Sequence, residues 1–296
     1  MATFSNQKQA SSHDIYSSSQ TITVAFQGVQ GAFGDEAARA YFGQQEETRP
    51  DFMPCPSFGD VFRAVAIGEA DYGVVPIENS QAGSINDVYD LLRQHDLYVV
   101  GGIGHRVNLC LLCLPGQQLG DIKRVLSHPQ ALAQSEEFLR DLSVETVATY
   151  NTAGSAKMLQ EENLQGVAAV ASAAVAELYG LEILASNVQT IKENYTRFIV
   201  LGRQSVPRSQ GPTKTMLVIA TSHEPGSLYK CLGILAAKQI NLLKLESRPS
   251  RQHPWEYVFY LDLEGHREDT AVRGALADLA GYTTFCKVLG SFTRNL

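Results

Sequence analysis

Apolar and polar positions alternate in blocks along the chain, and the blocks change period as they go. Thr21-Ile22-Thr23-Val24-Ala25-Phe26 is β-branched and aromatic, ends at the glycine-rich turn Gly28-Val29-Gln30-Gly31-Ala32-Phe33-Gly34, and predicts a strand before a helix from Asp35. Phe58, Val61, Phe62, Val65 and Ala66 then recur at helical spacing behind Ser57, a natural N-cap, and Tyr72 to Ile77 reads as a buried strand. Asn86 to His95 gives another amphipathic helix through Val88, Leu91 and Leu92, followed by strand-like stretches at 97–100 and 107–114. The alternation continues with strand 125–126, one helix after Pro129 presenting Leu132, Ser135, Leu139 and Leu142, strand 144–150, helix 152–160, strand 167–170, helix 171–179 closed by Gly180, and strand 198–201. Recurrent strand-helix units predict an α/β architecture, in two lobes if the chain crosses between sheets near Val100 and returns near Val188.

Residues 204–212, rich in proline, serine and glycine, read as a linker. Beyond it the pattern is strand 216–221, helix 226–238, strands 242–247 and 255–263, helix 270–280 and strand 284–292, the ferredoxin-like βαββαβ order. Trp255, Tyr257, Phe259, Leu261 and Leu263 alternate strictly, which predicts one buried face and exposure of Glu256, Asp262 and Glu264. The expected domains are a loose tail over 1–20, a two-lobed part over 21–203 (21–100 with 189–203, and 101–188), the linker, and a second domain over 213–296.

Composition narrows the function classes. A net charge of −7, from 24 basic and 31 acidic residues, offers no general attraction for nucleic acid or anionic lipid. The longest apolar runs, such as Leu109 to Leu114, fall far short of the ~20 residues that span a bilayer. The tail lacks the apolar core of a secretory signal and the arginines of a transit peptide. Five scattered cysteines fit a reducing cytoplasm. Cys110 and Cys113 form a C-x-x-C, but on a strand two residues three apart face opposite ways, so core packing is preferred to a metal or redox pair.

Polar groups gather where predicted strands end, the usual place for a ligand in an α/β sheet. The glycine turn with Gln30 and Gly31 could cradle an anionic oxygen or be a plain tight turn. Glu78-Asn79-Ser80, with Ser84 and Asn86 close behind, ends an apolar strand; these are rim groups for a ligand, or some of the hydroxyls and amides are helix caps. Asn194-Tyr195-Thr196-Arg197-Phe198 places a hydroxyl, a guanidinium and an apolar wall together; Arg197 suits a ligand carboxylate or a neighbouring Asp or Glu. Ser127, Gln130 and Thr152 stand at further strand-to-helix turns, where capping by Ser127 or Thr152 competes with ligand contact. Ser127 and His128, being adjacent, point apart and do not read as nucleophile and base.

These segments in this order resemble the prephenate dehydratase family, over residues 22–292: Val24 to Gly28 with Gly31-Ala32-Phe33, Pro76 to Ser80, Ser127-His128-Pro129-Gln130-Ala131-Leu132, Ala168 to Ser172, and Asn194 to Phe198. The last part resembles an ACT regulatory domain through Glu224-Pro225-Gly226-Ser227-Leu228 and Glu246-Ser247-Arg248-Pro249, segments that in this family bind phenylalanine at a subunit interface. The resemblance implies two periplasmic-binding-protein-like lobes with the site in their cleft, and Thr196 as the essential residue. It further implies feedback by L-phenylalanine, a homodimer through the ACT domains and a homotetramer built from it. Two positions depart from the family: Leu109 stands where many relatives carry His, and Gly101-Gly102 where a Gly-Glu pair is common.

The implied reaction removes carbon dioxide and water from prephenate and yields phenylpyruvate. Aromatisation drives it, so no metal or redox cofactor is called for, and positioning carries most of the catalysis. Thr196 is expected to donate to the leaving hydroxyl through a hydrogen bond or a relayed proton, Arg197 to clamp a carboxylate, Phe198 to wall the ring, and Glu78 to orient the network or supply a proton. Arogenate dehydratase, acting on the transaminated substrate, is the near alternative; a non-catalytic amino-acid binding or sensor protein is the distant one.

Overall fold

The computed structural model describes residues 20–43, 48–250 and 257–294. The expected tail, apart from Gln20, lies outside them, as do Trp255 and Glu256.

The first lobe runs β1 (Gln20–Gln27), α1 (Phe33–Phe42), β2 (Thr48–Cys55), α2 (Phe58–Ile67), β3 (Tyr72–Asn79), β4 (Gly83–Ser84), α3 (Asn86–Gln94) and β5 (Tyr98–Arg106). Strand β2, absent from the sequence reading, carries Pro50 and Pro54 and pairs only with β1; a free edge accommodates a missing N–H donor that a central strand would not. Ser57 caps α2 as expected, its Oγ accepting from the Asp60 N–H at 3.2 Å. Helix α2 packs hard on β3 because Gly73 has no side chain: a Cβ there would lie 2.8 Å from Val61.

The chain crosses to the second sheet after Arg106, not near Val100, since β5 continues in the first sheet to that residue. The second lobe holds β6 (Cys110–Cys113), β7 (Arg124–Ser127), α4 (Pro129–Gln134), α5 (Glu136–Leu142), β8 (Glu145–Ala148), α6 (Thr152–Glu161), β9 (Val167–Ala171), α7 (Ala173–Tyr179) and β10 (Glu182–Ser186), in sheet order β10-β6-β9-β7-β8. The single helix expected after Pro129 is two, broken where Ser135 leaves helical geometry at φ −108 and ψ 15. Cys110 and Cys113 do pack on opposite faces of β6, each in a different apolar cluster.

Strand β11 (Tyr195–Gly202) returns the chain to the first sheet between β3 and β5, antiparallel to both, in the order β2-β1-β3-β11-β5. The third sheet is formed by β12 (Thr213–Ala220), β13 (Leu242–Pro249), β14 (Tyr257–Glu264) and β15 (Phe285–Thr293), with α8 (Ser227–Ala237) and α9 (Thr270–Leu279), in the order β13-β14-β12-β15. Its helices cover one face through Leu217, Ile219, Leu235, Leu261 and Leu279.

The other face is also covered, which corrects the expectation of a solvent-facing side. Met216, Val218, Val258, Tyr260, Leu289 and Phe292 pack against Tyr89, Leu92, Leu97 and Val99 of the first lobe. Asp262 is accordingly buried, 2.8 Å from Lys214 Nζ, with that ammonium 5.2 Å from the Phe292 ring centroid. Strand β15 approaches β5 so closely that a Cβ at Gly290 would land on the Val99 carbonyl. Polar contacts rim the seam: Lys244 meets Glu78 at 3.1 Å, Ser84 donates to Glu246 at 2.9 Å, and Arg248 meets Asp90 at 3.4 Å.

Candidate active site

Between the two lobes lies a cleft of about 360 Å³, within the size range of small-molecule sites. Its walls are apolar rings and aliphatics, Phe33, Phe58 and Phe198 from the first lobe and Leu109 on the crossing, with Tyr150 from the second lobe. Helix starts converge on it: Phe33 and Gly34 open α1, Phe58 opens α2, Ile85 precedes α3, His128 and Gln130 begin α4, and Asn151 and Thr152 begin α6. The positive ends of helix dipoles from both lobes therefore border the cavity, although side-chain caps already hold N–H groups of α2, α4 and α6. Among the described residues, no Lys, Arg, Asp or Glu lines it.

Thr196 lies in the floor of this cleft on β11, beside Asn79 of β3 and His105 of β5 in register. Asn79 is the organiser. Its Oδ1 accepts from the Gln81 and Ala82 N–H groups at 3.0 and 2.9 Å, which fixes the amide, and its Nδ2 donates to Asn194 Oδ1 at 2.8 Å and Thr196 Oγ1 at 2.9 Å. Asn194 in turn donates to Gln134 Oε1 at 3.1 Å, tying the strand to the second lobe. With a donor already on its oxygen, the Thr196 hydroxyl is left to donate its own proton into the cleft.

Arg197 is not in the cleft. Neighbours on a strand face opposite ways, so with Thr196 and Phe198 inward the guanidinium points to the far side, 3.1 Å from Glu78 and half exposed. There Glu78, Ser80 and Arg197 line a second cavity of about 460 Å³, which shares Thr196 and Phe198 of β11 with the cleft and lies against Lys214 and Asp262 of the third sheet. Ser84 belongs to the same seam through Glu246. The anion in front of Arg197 is thus a protein carboxylate, and the clamp reading loses its geometry.

The remaining expected residues divide. Gln130 and Thr152 line the cleft, and Asn194 stands behind it. Ser127 does not, its hydroxyl being buried on the Val170 carbonyl at 2.7 Å. Gln30 accepts from Tyr179 through its carbonyl, and the Gly31 N–H donates to Asp35, so this part of the turn contacts the second lobe and leaves Ala32, Phe33 and Gly34 to the cleft. None of Ser80, Ser84 or Asn86 caps α3, which starts at Ile85 without a side-chain cap; Asn151, not Thr152, caps α6, and His128, not Ser127, caps α4. In the third sheet Gly226, at φ +83, precedes α8, Ser227 bonds Ser222, and Leu228 is half-buried. Ser247 and Pro249 point outward on β13 while Glu246 and Arg248 turn to the first lobe.

His128 acquires a role that adjacency to Ser127 had obscured. Its Nδ1 accepts from the Gln130 N–H at 3.2 Å, and burial pushes its pKa below the usual value, so the ring is neutral with its proton on Nε2. Phe33, Phe58, Gln134 and Tyr150 were unforeseen because apolar and amide side chains at a cleft carry no distinguishing sequence pattern. The departures also resolve spatially: Leu109 is part of the cleft wall, whereas a Cβ at Gly102 would point toward Phe292 at 3.7 Å, away from the substrate side.

A family model described as prephenate dehydratase matches residues 24–206, and one for the ACT domain matches 215–281. The chain is 42% identical over 286 residues, 93% of its length and 74% of the relative's, to arogenate dehydratase/prephenate dehydratase 2, chloroplastic, of Arabidopsis thaliana. It is 41% identical, over 93% of its length and 68% of the relative's, to arogenate dehydratase 5, chloroplastic, of the same plant. Among solved structures, prephenate dehydratase in complex with L-Phe from Arthrobacter aurescens superposes with TM-score 0.84 at 31% identity, covering 92% of this chain and 90% of that one. GqqA, described as a novel type of quorum quenching acylase, superposes with TM-score 0.83 at 36% identity, covering 92% and 98%. A cleft hydroxyl held by an amide, two lobes around it and a docked βαββαβ domain go together with these matches: the chain belongs to the prephenate dehydratase family of lyases and carries an ACT regulatory domain.

Proposed function

We propose that the chain converts prephenate to phenylpyruvate, carbon dioxide and water, and that L-phenylalanine regulates it through the ACT domain. The observation that carries this reading is the cleft lining: helix N-termini from both lobes around the Thr196 hydroxyl, with no carboxylate among the described residues that line it. Prephenate is a dianion, which helix ends and the Nε2–H of His128 attract without a formal cation. Arogenate replaces the side-chain keto group by an ammonium, whose burial favours a carboxylate partner, and the described lining offers it amide and hydroxyl oxygens but no Asp or Glu.

Thr196 Oγ1 donates to the ring hydroxyl as the C–O bond lengthens, where negative charge develops. Phe33, Phe58 and Phe198 enclose the ring as it becomes aromatic and keep the departing carboxylate poorly solvated. An acylase reading, suggested by GqqA, would use Thr196 as nucleophile with His105, its neighbour in the β5 register, as base; the Asn79 amide donating to Oγ1 lowers its nucleophilicity and favours donation over attack. Exposed Tyr229, Leu245, Tyr257 and Phe285 on the ACT domain support its pairing with a second copy.

Parallel assays with prephenate, read by phenylpyruvate absorbance, and arogenate, read by phenylalanine formation, test the substrate assignment. The expected kcat/KM favours prephenate by about tenfold or more, the ~1.4 kcal/mol that one unmatched ammonium contact costs at least. Equal values, or a preference for arogenate, would reverse it.

A further inference from the structure

The proposed elimination leaves one proton to be supplied. As the C–C bond to the ring carboxylate breaks, its electron pair enters the ring, and the C–O pair departs with oxygen. The dianion thus gives carbon dioxide, the phenylpyruvate monoanion and hydroxide, and one proton per turnover must reach that oxygen to make water. Thr196 can pass a proton to it only if another group restores the one it gives.

His105 stands directly across from Thr196 in the β11–β5 register. Side chains of such a pair leave the sheet on the same face, with Cβ atoms about 4.5–5.5 Å apart. The imidazole sits between two residues of the cleft wall, 6.1 Å from the Phe33 ring centroid and 6.3 Å from that of Phe198. Its Nε2 is 3.0 Å from Glu36 Oε2, and both side chains are largely buried. Glu36 lies in α1, one turn beyond the cleft-lining start of that helix. Its other oxygen, Oε1, is buried without a hydrogen-bond partner among the described residues, so the carboxylate is committed to the imidazole. A buried carboxylate with a histidine as its one side-chain partner, next to the reactive hydroxyl, is an expensive arrangement for packing alone.

Thr196 Oγ1 has two acceptor lone pairs and only one is taken, by Asn79. Among the described residues no second hydrogen-bond donor to that oxygen is seen, and His105 is the neighbour of Thr196 in the β5 register. The titratable groups that line the cleft itself, His128 and Tyr150, come from the second lobe, and His128 Nδ1 is occupied by the Gln130 N–H.

We propose that His105, held by Glu36, stores the proton this elimination consumes and delivers it to the leaving oxygen through Thr196. The imidazolium Nδ1–H passes to Thr196 Oγ1, directly or through one water, while the threonine proton moves to the departing oxygen; the neutral imidazole regains a proton from solvent after product leaves. No oxidant, reductant or cofactor enters the balance. This role rests on the dehydratase reading above, and makes His105 a residue that acts through Thr196 rather than one that touches substrate.

Two substitutions separate this role from packing. His105→Gln keeps a polar group within reach of Glu36 but carries no transferable proton, and His105→Ala opens a space that free imidazole can enter. The expected result is a fall in kcat of about 10²-fold in both, with KM within twofold of wild type as an order of magnitude. Added imidazole restores turnover in His105→Ala and leaves His105→Gln unchanged. Wild-type kcat in folded His105→Gln overturns the proposal, as does a loss in folded His105→Ala that imidazole does not relieve. Should His105→Ala fail to fold, His105→Gln decides alone. Failure of the wild-type chain to consume prephenate would instead sink the dehydratase reading, so the two are told apart.

Discussion

At the scale of single residues, the local chemistry of the site was legible and its direction was not. Thr196, Asn79 and Asn194 stand out in sequence as polar groups abutting an apolar strand and meet in one hydrogen-bond network, with Phe198 beside Thr196 in the cleft wall. The charge of Arg197 at the mouth of an apolar strand suggests a ligand clamp, but period-two alternation sends it to Glu78 across the sheet. His128 shows the same limit in reverse: only its backbone partner reveals a neutral ring that caps α4. Its depressed pKa means that stability from this ring is complete above the unfolded value of about 6.5 and is lost as pH falls through the lower folded value. Denaturant unfolding at pH 8 and pH 5 should therefore show wild type losing more stability than His128→Asn, whose amide caps without titrating. Equal losses would detach His128 from the cap.

Elements with strong periodicity, such as α2, α3, β3 and the third-sheet order, were readable, and the misses have physical causes. Strand β2 hides behind two prolines that only an edge tolerates, and the Ser135 break interrupts an unbroken apolar face. Alternation in β14 predicted one buried face, whereas a second layer of protein covers the other and buries Asp262. That burial depends on Lys214, 2.8 Å away. Lys214→Met should destabilise the chain by about 3–5 kcal/mol, because it strands a buried carboxylate, and adding Asp262→Leu should recover most of the loss. Chemical denaturation of the two variants checks this; a single variant as stable as wild type would mean that Asp262 is solvated in solution.

For the molecule as a whole, pattern alone could not foresee that the ACT sheet docks on the first lobe, since docking surfaces are composed like any core. The consequence is a direct mechanical route. Lys244 on β13 holds Glu78, Glu78 holds Arg197, and Arg197 precedes Phe198 and follows Thr196 on β11. A ligand that shifts β13 would bias the strand that carries the reactive hydroxyl. Lys244→Met should leave basal turnover within about threefold and phenylalanine binding intact while reducing the response of turnover to phenylalanine by about fivefold or more, the lower end of a typical coupling. Titration of rate and of binding on the same preparation distinguishes this from lost affinity; an unaltered response would place the coupling elsewhere.

The most direct measurement is single-turnover kinetics of Thr196→Val, which keeps the side-chain shape and removes the donor. Loss of one donor at a site of developing charge should lower the rate of the chemical step by about 10²–10³-fold, ~2.7–4 kcal/mol, with prephenate binding preserved and Thr196→Ser close to wild type. A valine variant that turns over prephenate at the wild-type rate would contradict the account.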